Sequence, residues 1–245
     1  MWDRPDTLNR LASALYAVGA LLALYGVIAA VVHLPLFPLR EVRVVGTPAH
    51  VTPDQLEIIV KHDLRGNFFT ADLATARAAF ERLPWVRRVQ VRRGWPDRLE
   101  VTFEEHVVLA RWGSRALVSV HGEVFEGKYD GRLPVFTGPE GSAKEIAIQY
   151  EYFRRSLAAI GQEPAEVRIS PRRAWQVRLA SGLTLELGRE QTEARLARFV
   201  ASYERTLVKL GRPLDYVDLR YSNGFAVRIP ELGSEKVPRR GRDAA

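Results

Sequence analysis

The sequence predicts an α+β fold: one N-terminal transmembrane helix, a small domain with the element order β-α-α-β-β, and a mixed β domain with two helices and an exposed C-terminal edge strand. Three observations predict it. An uncharged apolar run lies near the N-terminus, helical and strand periodicities alternate over roughly the next 70 residues, and short strands dominate after Ala110. A chain of 245 residues is long enough for two such domains.

The apolar run from Leu11 to Val32 contains no Asp, Glu, Lys or Arg. As a helix rising about 1.5 Å per residue it reaches about 33 Å, enough to cross a hydrocarbon core of about 30 Å. A buried core helix and a cleaved signal peptide are the alternatives, but the first usually keeps a polar face and the second has a shorter apolar region. The run therefore predicts a transmembrane helix over residues 11–34. Its orientation stays open, because the arginines on its two sides nearly balance.

The segment after this helix has the signals of a compact domain. Thr52, followed by Pro53 and Gln55, has the pattern of a helix N-terminus with a capping box, and Thr70 or Asp72 is placed to cap a second helix. The predicted elements, in order, are a strand at residues 41–45, a helix to about residue 61, a helix to about residue 82, and strands at residues 86–93 and 99–104.

Short strands characterise the rest of the chain. Asn223 and Gly224 are a strong hairpin signal, because a type I′ turn needs positive φ at both central residues. Ser142 and Glu145 have the spacing of a capping box. The sequence predicts helices at residues 142–160 and 191–210, and strands at residues 116–120, 123–125, 167–169, 175–179, 183–187, 216–221 and 225–229. Residues 231–245 are polar and basic and are predicted to be a disordered tail.

The search for catalytic or cofactor chemistry is negative. With no cysteine, the chain has no disulfide, thiolate zinc site or cysteine nucleophile, and its five histidines lack metal-ligand spacing. Residues 122–128 match a phosphate loop in spacing, but Tyr129 stands where Ser or Thr must hold magnesium, and no helix follows. Glu104 and Glu105 point to opposite faces of a strand. We expect no enzyme activity, cofactor, metal or small-molecule substrate.

The charge pattern has two interpretations. The net charge is +7, and four arginines lie in one predicted strand: Arg87, Arg88, Arg92 and Arg93. They indicate either nucleic-acid binding or a solvated sheet face. No stacking aromatic residue is interleaved with them, so we expect no nucleic-acid partner. Asp215 and Asp218 are interpreted as a solvated strand edge.

The last predicted strand, residues 225–229, has a more specific implication. If it lies at the border of the sheet, its free N–H and C=O groups can accept a strand from another protein. The alternative is that a loop or the tail covers it, and the sequence alone leaves both open.

Several motifs in a fixed order resemble the FtsQ/DivIB family of bacterial cell-division proteins. The resemblance spans about residues 10–230, beginning with the short tail and single span. In the first domain the motifs are Phe37-Pro38-Leu39-Arg40-Glu41-Val42-Arg43-Val44-Val45-Gly46, Asn67-Phe68-Phe69-Thr70-Ala71-Asp72-Leu73, Leu83-Pro84-Trp85-Val86 and Trp95-Pro96-Asp97-Arg98-Leu99. In the second they are Arg172-Arg173-Ala174-Trp175-Gln176, Leu187-Gly188-Arg189, Arg195-Leu196-Ala197-Arg198-Phe199 and Tyr216-Val217-Asp218-Leu219-Arg220-Tyr221.

The resemblance implies an organisation and a function. It implies a cytoplasmic tail at residues 1–10, a POTRA domain at residues 37–108 and a β domain at residues 109–230, both domains being periplasmic. Such a protein is a single-pass type II protein of the bacterial inner membrane at the division septum. It acts as a non-enzymatic divisome scaffold that binds FtsB and FtsL and links FtsK to the septal peptidoglycan synthases FtsW and FtsI.

The resemblance also implies two sets of partner-binding residues. The FtsB-binding set lies in the β domain: Arg172, Arg220, Tyr221, Asn223, Gly224, Phe225, Ala226 and Val227. The set implied in recruitment by upstream partners lies in the POTRA domain: Arg88, Val91, Arg93 and Glu105. Arg228-Ile229 replace a Gly-Trp pair seen in some relatives. Tyr221 is expected to anchor the partner, or alternatively to pack in the sheet beside Val217 and Leu219.

A different function is compatible with the first domain alone. A membrane-tethered POTRA protein could act as a docking or chaperone module for exported polypeptides, and it would also use strand-edge pairing. The motifs of the second domain discriminate between the two functions, because they are specific to the division family.

Overall fold

The structure is a computed structural model, and it describes residues 5–33, 38–64, 66–207, 209, 211, 214–221 and 224–228. The predicted tail at residues 231–245, Asn223, Ile229 and the start of the predicted N-terminal tail lie outside the described residues. The chain divides between Glu105 and His106 into two compact units. The domain boundaries predicted above remain a proposal.

The first helix, α1, is Pro5–His33. Its segment Asn9–His33 has a mean hydropathy of 2.3, is long and apolar enough to cross a membrane, and has no residue buried against the rest of the protein. An apolar helix without protein packing is what a lipid-facing segment requires, whereas a core helix would be covered.

The rest of the N-terminal unit has the predicted β-α-α-β-β order. Its elements are β1 (Glu41–Val45), α2 (Pro53–Asp63), α3 (Leu73–Phe80), β2 (Val86–Gly94) and β3 (Arg98–Glu105). The strand order is β1-β3-β2, with β1 parallel and β2 antiparallel to the central β3. Phe80, Val89 and Val101 are buried in the core on the face that the helices cover.

Local capping explains where the two helices begin. The Thr52 hydroxyl accepts the Gln55 N–H at 3.4 Å, and the Gln55 side chain accepts the Thr52 N–H at 3.1 Å, which confirms the predicted capping box. Asp72, rather than Thr70, caps α3, since its carboxylate accepts the N–H groups of Ala74 and Thr75.

The described residues of the C-terminal unit form one nine-stranded sheet with two helices. The strands are β4 (Val108–Trp112), β5 (Ala116–Ser119), β6 (Val124–Phe125), β7 (Val135–Thr137), β8 (Pro164–Ile169), β9 (Trp175–Leu179), β10 (Thr184–Gly188), β11 (Tyr216–Asp218) and β12 (Ala226–Arg228). Their order is β12-β11-β10-β9-β8-β7-β4-β5-β6. The helices are α4 (Ala143–Ala158) and α5 (Thr192–Ser202), the latter continuing into a wider π turn at Tyr203–Leu207.

One predicted cap in this unit is wrong. Ser142 precedes α4, but its backbone is helical and its hydroxyl donates to the Pro139 carbonyl at 2.6 Å, so it makes no capping box with Glu145. Glu145 forms an ion pair with Arg173 instead. The sequence does not predict strands β4 and β7, and β11 and β12 are shorter than predicted. The predicted two-residue type I′ turn is wrong, because residues 219–225 separate the two strands and Gly224 does not have the positive φ that this turn needs.

The core of the C-terminal unit lies between the sheet and its helices. Phe153 and Leu157 of α4 and Phe199 of α5 are fully buried among apolar residues of the central strands. Val217 and Val227 belong to the same cluster. The last two strands are therefore fixed to the sheet by their inward side chains, and this packing defines the border described next.

Candidate protein-binding site at the C-terminal sheet edge

Strand β12 forms one border of the nine-stranded sheet. It pairs antiparallel with β11, joining Tyr216 to Arg228 and Asp218 to Ala226, and in the described part of the chain no strand pairs with its other side. Alternate residues of an edge strand direct their N–H and C=O groups away from the sheet. The predicted C-terminal edge strand is thus confirmed, and in the described part of the chain its outer backbone is unpaired. Residues 229–245, which include the tail that the alternative prediction places over this edge, lie outside the described residues.

The side chains of β12 alternate as an edge requires. Val227 is half-buried against the core, whereas Ala226 and Arg228 are exposed. The Arg228 guanidinium lies 5.0 Å from the ring centre of Tyr216 across the strand pair. Burial, together with the nearby Asp218 carboxylate, raises the pKa of Tyr216, so the phenol stays protonated as a neutral neighbour of the edge.

An ion pair between buried Asp218 and exposed Arg220 holds the end of β11. Asp218 is only 6% exposed, and its carboxylate accepts three hydrogen bonds from Arg220: from the backbone N–H at 3.0 Å, from Nε at 2.9 Å and from Nη2 at 2.6 Å. The Arg220 guanidinium holds the pKa of Asp218 below its ordinary value, against the opposing effect of burial, and the carboxylate raises the pKa of Arg220. The prediction of a solvated Asp218 is therefore wrong, while Asp215 is exposed as predicted.

Two further arginines fix the backbone beside this pair. Arg195 of α5 donates from Nη1 to the Leu187 carbonyl at 2.6 Å, and Arg198 donates from Nη2 to the Tyr221 carbonyl at 3.2 Å. Gly188 has φ of +74°, and a Cβ there would lie 2.7 Å from Arg195 Nη1 and 3.0 Å from Arg220 Cγ. A glycine at this position leaves room for both arginine side chains.

The remaining β-domain residues of the predicted set lie around this edge. Tyr221 follows β11 and is 58% exposed, so it does not pack in the sheet beside Val217 and Leu219. Gly224 is exposed, and Phe225 is half-buried against the core. Asn223 lies outside the described residues.

Arg172 is brought to the same end of the sheet by topology. It is exposed in the turn between β8 and β9, and the strand directions put that turn at the end where β11 finishes and β12 begins. Three strand spacings, roughly 14 Å, separate the two turns. Arg172 can therefore contact a partner on β12 only if that partner also covers this end of the sheet back towards β9.

The four residues predicted in the N-terminal unit have different environments. Arg88 is exposed on β2, 3.7 Å from the Glu104 carboxylate, and Val91 is half-buried against the core. Arg93 donates to the carbonyls of Phe68, Phe69 and Ala71 at 2.7, 3.2 and 2.8 Å. It therefore holds the loop before α3.

Glu105 is held inside its own domain in the same way. Its carboxylate accepts the backbone N–H groups of Ala49, His50 and Val51 and lies 3.0 Å from the His50 ring nitrogen. Burial opposes its ionisation, but the hydrogen bonds from His50 and Ala49 outweigh burial and lower the pKa of Glu105.

Sequence reasoning missed three residues that shape the C-terminal edge: Asp218, Arg195 and Arg198. The Asp-x-Arg spacing of residues 218 and 220 carried a usable signal, because alternate residues of a strand share a face. The two helix arginines carried no such signal. Within the described ranges, no three His, Asp or Glu side chains come together in a group that could hold a metal ion.

Two family models match the chain in the order of its two units. "POTRA domain, FtsQ-type" matches residues 37–106, and "Cell division protein FtsQ/DivIB, C-terminal" matches residues 110–220. Proteins described as "Cell division protein FtsQ" are similar over nearly the whole chain. The Nitrosospira multiformis protein is 44% identical over 233 residues, covering 93% of this chain and 99% of the relative.

The chain belongs to the FtsQ/DivIB family. The FtsQ of Burkholderia pseudomallei is 45% identical over 93% of this chain and 94% of its own length, and that of Neisseria gonorrhoeae is 35% identical over 96% and 100%. Membership of the FtsQ family assigns the chain to cell division, and helix α1 fits a single-pass membrane protein. The second match distinguishes the chain from POTRA proteins of other families.

Proposed function

We propose that this chain is a non-enzymatic scaffold of the divisome that binds an FtsB–FtsL complex by strand addition to β12. One observation carries the proposal: β12 is an edge strand whose outer backbone is unpaired within the described residues and whose neighbour Tyr221 is 58% exposed. The family assignment supports a role in division, and the open edge supplies a means of holding a partner.

The chemistry of the edge suits an extended partner segment. Main-chain hydrogen bonds to β12 would supply affinity without depending on the identity of residue 228, so Arg228 is compatible with this mode. The exposed side chains of Ala226 and Arg228 would supply specificity, and Tyr221 offers an aromatic anchor at the rim. Arg172 and the carboxylate-paired Arg220 lie at the end where β11 finishes, and Arg228 lies at the other end of β12. These basic side chains favour a partner segment with acidic side chains.

We assign different roles to the members of the predicted set. Tyr221, Gly224 and Ala226 are exposed and are proposed to contact the partner directly, together with Arg172 at the far side of the site. Asn223 is proposed as a further contact from its position in the sequence between Tyr221 and Gly224. Arg220, Phe225 and Val227 are proposed to position the edge, because they are engaged with Asp218 or packed on the core.

The proposed scaffold would work from the outer face of the inner membrane at the septum. Helix α1 would anchor it with the C-terminal unit periplasmic, linking FtsK to FtsW and FtsI. In the POTRA domain, we propose that exposed Arg88 contacts an upstream partner, that Val91 supports the strand from its core face, and that Arg93 and Glu105 act by holding their loops.

Titration of the purified full chain with the periplasmic segment of its FtsB tests the binding proposal. Tyr221→Asp is expected to weaken binding at least tenfold, which corresponds to about 1.4 kcal/mol, because it replaces an aromatic anchor by a solvated charge. Tyr129→Asp is the matched control, since Tyr129 is exposed on a loop of the same unit but is remote in the sheet from β12. Equal affinities of the two variants, with both melting like the parent chain, would refute the proposed site.

A further inference from the structure

An aromatic cluster lies at the end of the N-terminal unit where the chain leaves helix α1. Phe68 is 7% exposed and forms its centre, with ring centres 5.2 Å from Phe69 and 6.0 Å from Trp95. Phe69 is 42% exposed and Trp95 is 70% exposed. Two large aromatic side chains thus extend outward from a buried third, on two different loops.

Hydrogen bonds from two side chains hold the loop that carries Phe68 and Phe69. Asn67 accepts the N–H groups of Phe69 and Thr70 at 3.0 and 2.9 Å through its side-chain oxygen, and Arg93 donates to the carbonyls of residues 68, 69 and 71. A side chain at Gly66 would lie 2.9 Å from the Thr70 hydroxyl. The outward position of Phe69 is therefore built into the loop rather than adopted on contact.

Short connections tie both loops to the end of α1. Pro38 pairs with Asn67 in an isolated β-bridge, and the Arg40 N–H donates to the Asp97 carbonyl at 2.9 Å. Pro38 is five residues beyond His33, so even a fully extended connection spans only about 17 Å. In addition, the Asn67 side chain donates to the Val32 carbonyl at 2.7 Å. The cluster therefore cannot lie far from the face at which α1 leaves the membrane.

We propose that Phe69 and Trp95 insert into the headgroup region of the bilayer that α1 spans and so orient the POTRA domain on the membrane. Tryptophan and other aromatic residues are favoured at this depth, where an apolar ring is buried while a polar edge stays hydrated. Exposed Arg40 beside the cluster adds an attraction for anionic headgroups. The proposed partner is lipid rather than protein, because the exposed aromatic surface formed by Phe69 and Trp95 lies next to the end of the membrane-spanning helix.

Quenching of tryptophan fluorescence by brominated lipid tests this. The full chain is reconstituted into vesicles of phosphatidylethanolamine and phosphatidylglycerol, with or without bromine on the acyl chains. Trp2 precedes the apolar run by only nine positions, so every protein in this experiment carries Trp2→Phe. We expect brominated lipid to quench the tryptophan fluorescence of the Trp2→Phe protein. The additional change Trp112→Phe is expected to leave this quenching unaltered, since Trp112 belongs to the C-terminal unit, whereas the additional change Trp95→Phe is expected to abolish it.

A rescue variant protects the test from a folding artefact. Trp95→Phe keeps a ring beside Phe68, and adding Phe69→Trp to it is expected to restore quenching from the second position of the cluster. Quenching that is absent from the Trp2→Phe protein, or that persists unchanged in Trp95→Phe, would overturn the proposal. Failure of the rescue in a chain that melts like the parent would also count against it.

Discussion

The side chain of Asp218 stabilises the bend that follows β11 at the candidate binding edge. Its carboxylate is buried, and the backbone and side chain of Arg220 satisfy it from one side of the bend after β11. A buried carboxylate that lost this partner would be unsatisfied, whereas the exposed guanidinium of Arg220 would return to water. The geometry of residues 219–221 therefore depends on the ionised form of Asp218.

We expect Asp218→Asn to lower the free energy of unfolding at pH 7 by about 1–2 kcal/mol, since a charged hydrogen-bonded pair becomes a neutral contact partly screened by solvent. Because folding lowers the pKa of Asp218, its stabilisation is complete above the unfolded-state pKa of about 4 and is lost as the pH falls below it. Urea unfolding at pH 7 and pH 3 measures both effects.

Asp215→Asn is the control for this change. Asp215 is exposed three residues earlier in the chain, and its substitution is expected to leave stability within about 0.5 kcal/mol of the parent. If Asp218→Asn lost as much stability at pH 3 as at pH 7, the ion pair would not be the cause.

At the scale of elements, the N-terminal unit depends on two loops that side chains from its sheet hold in place. Arg93 on β2 secures the loop before α3, and Glu105 at the end of β3 secures the loop before α2. Each uses hydrogen bonds to backbone groups of residues that no helix or strand otherwise pairs. Both residues were predicted as partner contacts, and that role stays a prediction.

Arg93→Ala separates the two roles. It is expected to lower the melting temperature of the full chain's N-terminal unit by several degrees, because three backbone carbonyls lose their donors. Arg88→Ala, on the same strand, removes one exposed ion pair at 3.7 Å and is expected to change the melting temperature by less than about 2 °C. Differential scanning calorimetry measures both; equal melting of the two variants would exclude a structural role for Arg93.

Helices and strands that are fixed by interactions between neighbouring residues were predictable from the sequence, whereas those fixed by distant residues were not. The α2 capping box was predictable because Thr52 and Gln55 satisfy each other within one turn. The cap at Ser142 was not, because the Pro139 carbonyl takes the hydroxyl before the helix begins. Strand β7 has three residues and is fixed by parallel pairing to β4 and β8, far away in sequence, so its own pattern carried little signal.

At the scale of the whole molecule, function depends on which side of the membrane each unit occupies. Among the described residues one helix is long and apolar enough to span a membrane, and the balance of flanking arginines does not orient it. The orientation proposed above, with the C-terminal unit periplasmic, therefore needs a direct test. Because the chain has no cysteine, one introduced thiol reports its side without background.

We expect Ala180→Cys to react with a membrane-impermeant maleimide in intact spheroplasts, and Thr7→Cys to react only after lysis. Ala180 is exposed in the turn between β9 and β10, and Thr7 precedes the apolar run. Gel-shift labelling measures both variants. The reverse pattern, or labelling of both before lysis, would contradict the proposed orientation.

The sequence alone determined the apolar span, the element order of the first domain and the family resemblance, because these depend on neighbouring residues or on motifs in order. Only the tertiary structure decided that Asp218 is buried beside Arg220, that Arg93 and Glu105 hold loops, and that Arg172 shares one end of the sheet with Tyr221. Those relations join residues through strand pairing and side-chain packing between segments distant in the chain. A residue that contacts a partner differs from one that supports the binding site in its burial and in the direction of its side chain. No local sequence pattern specifies either property.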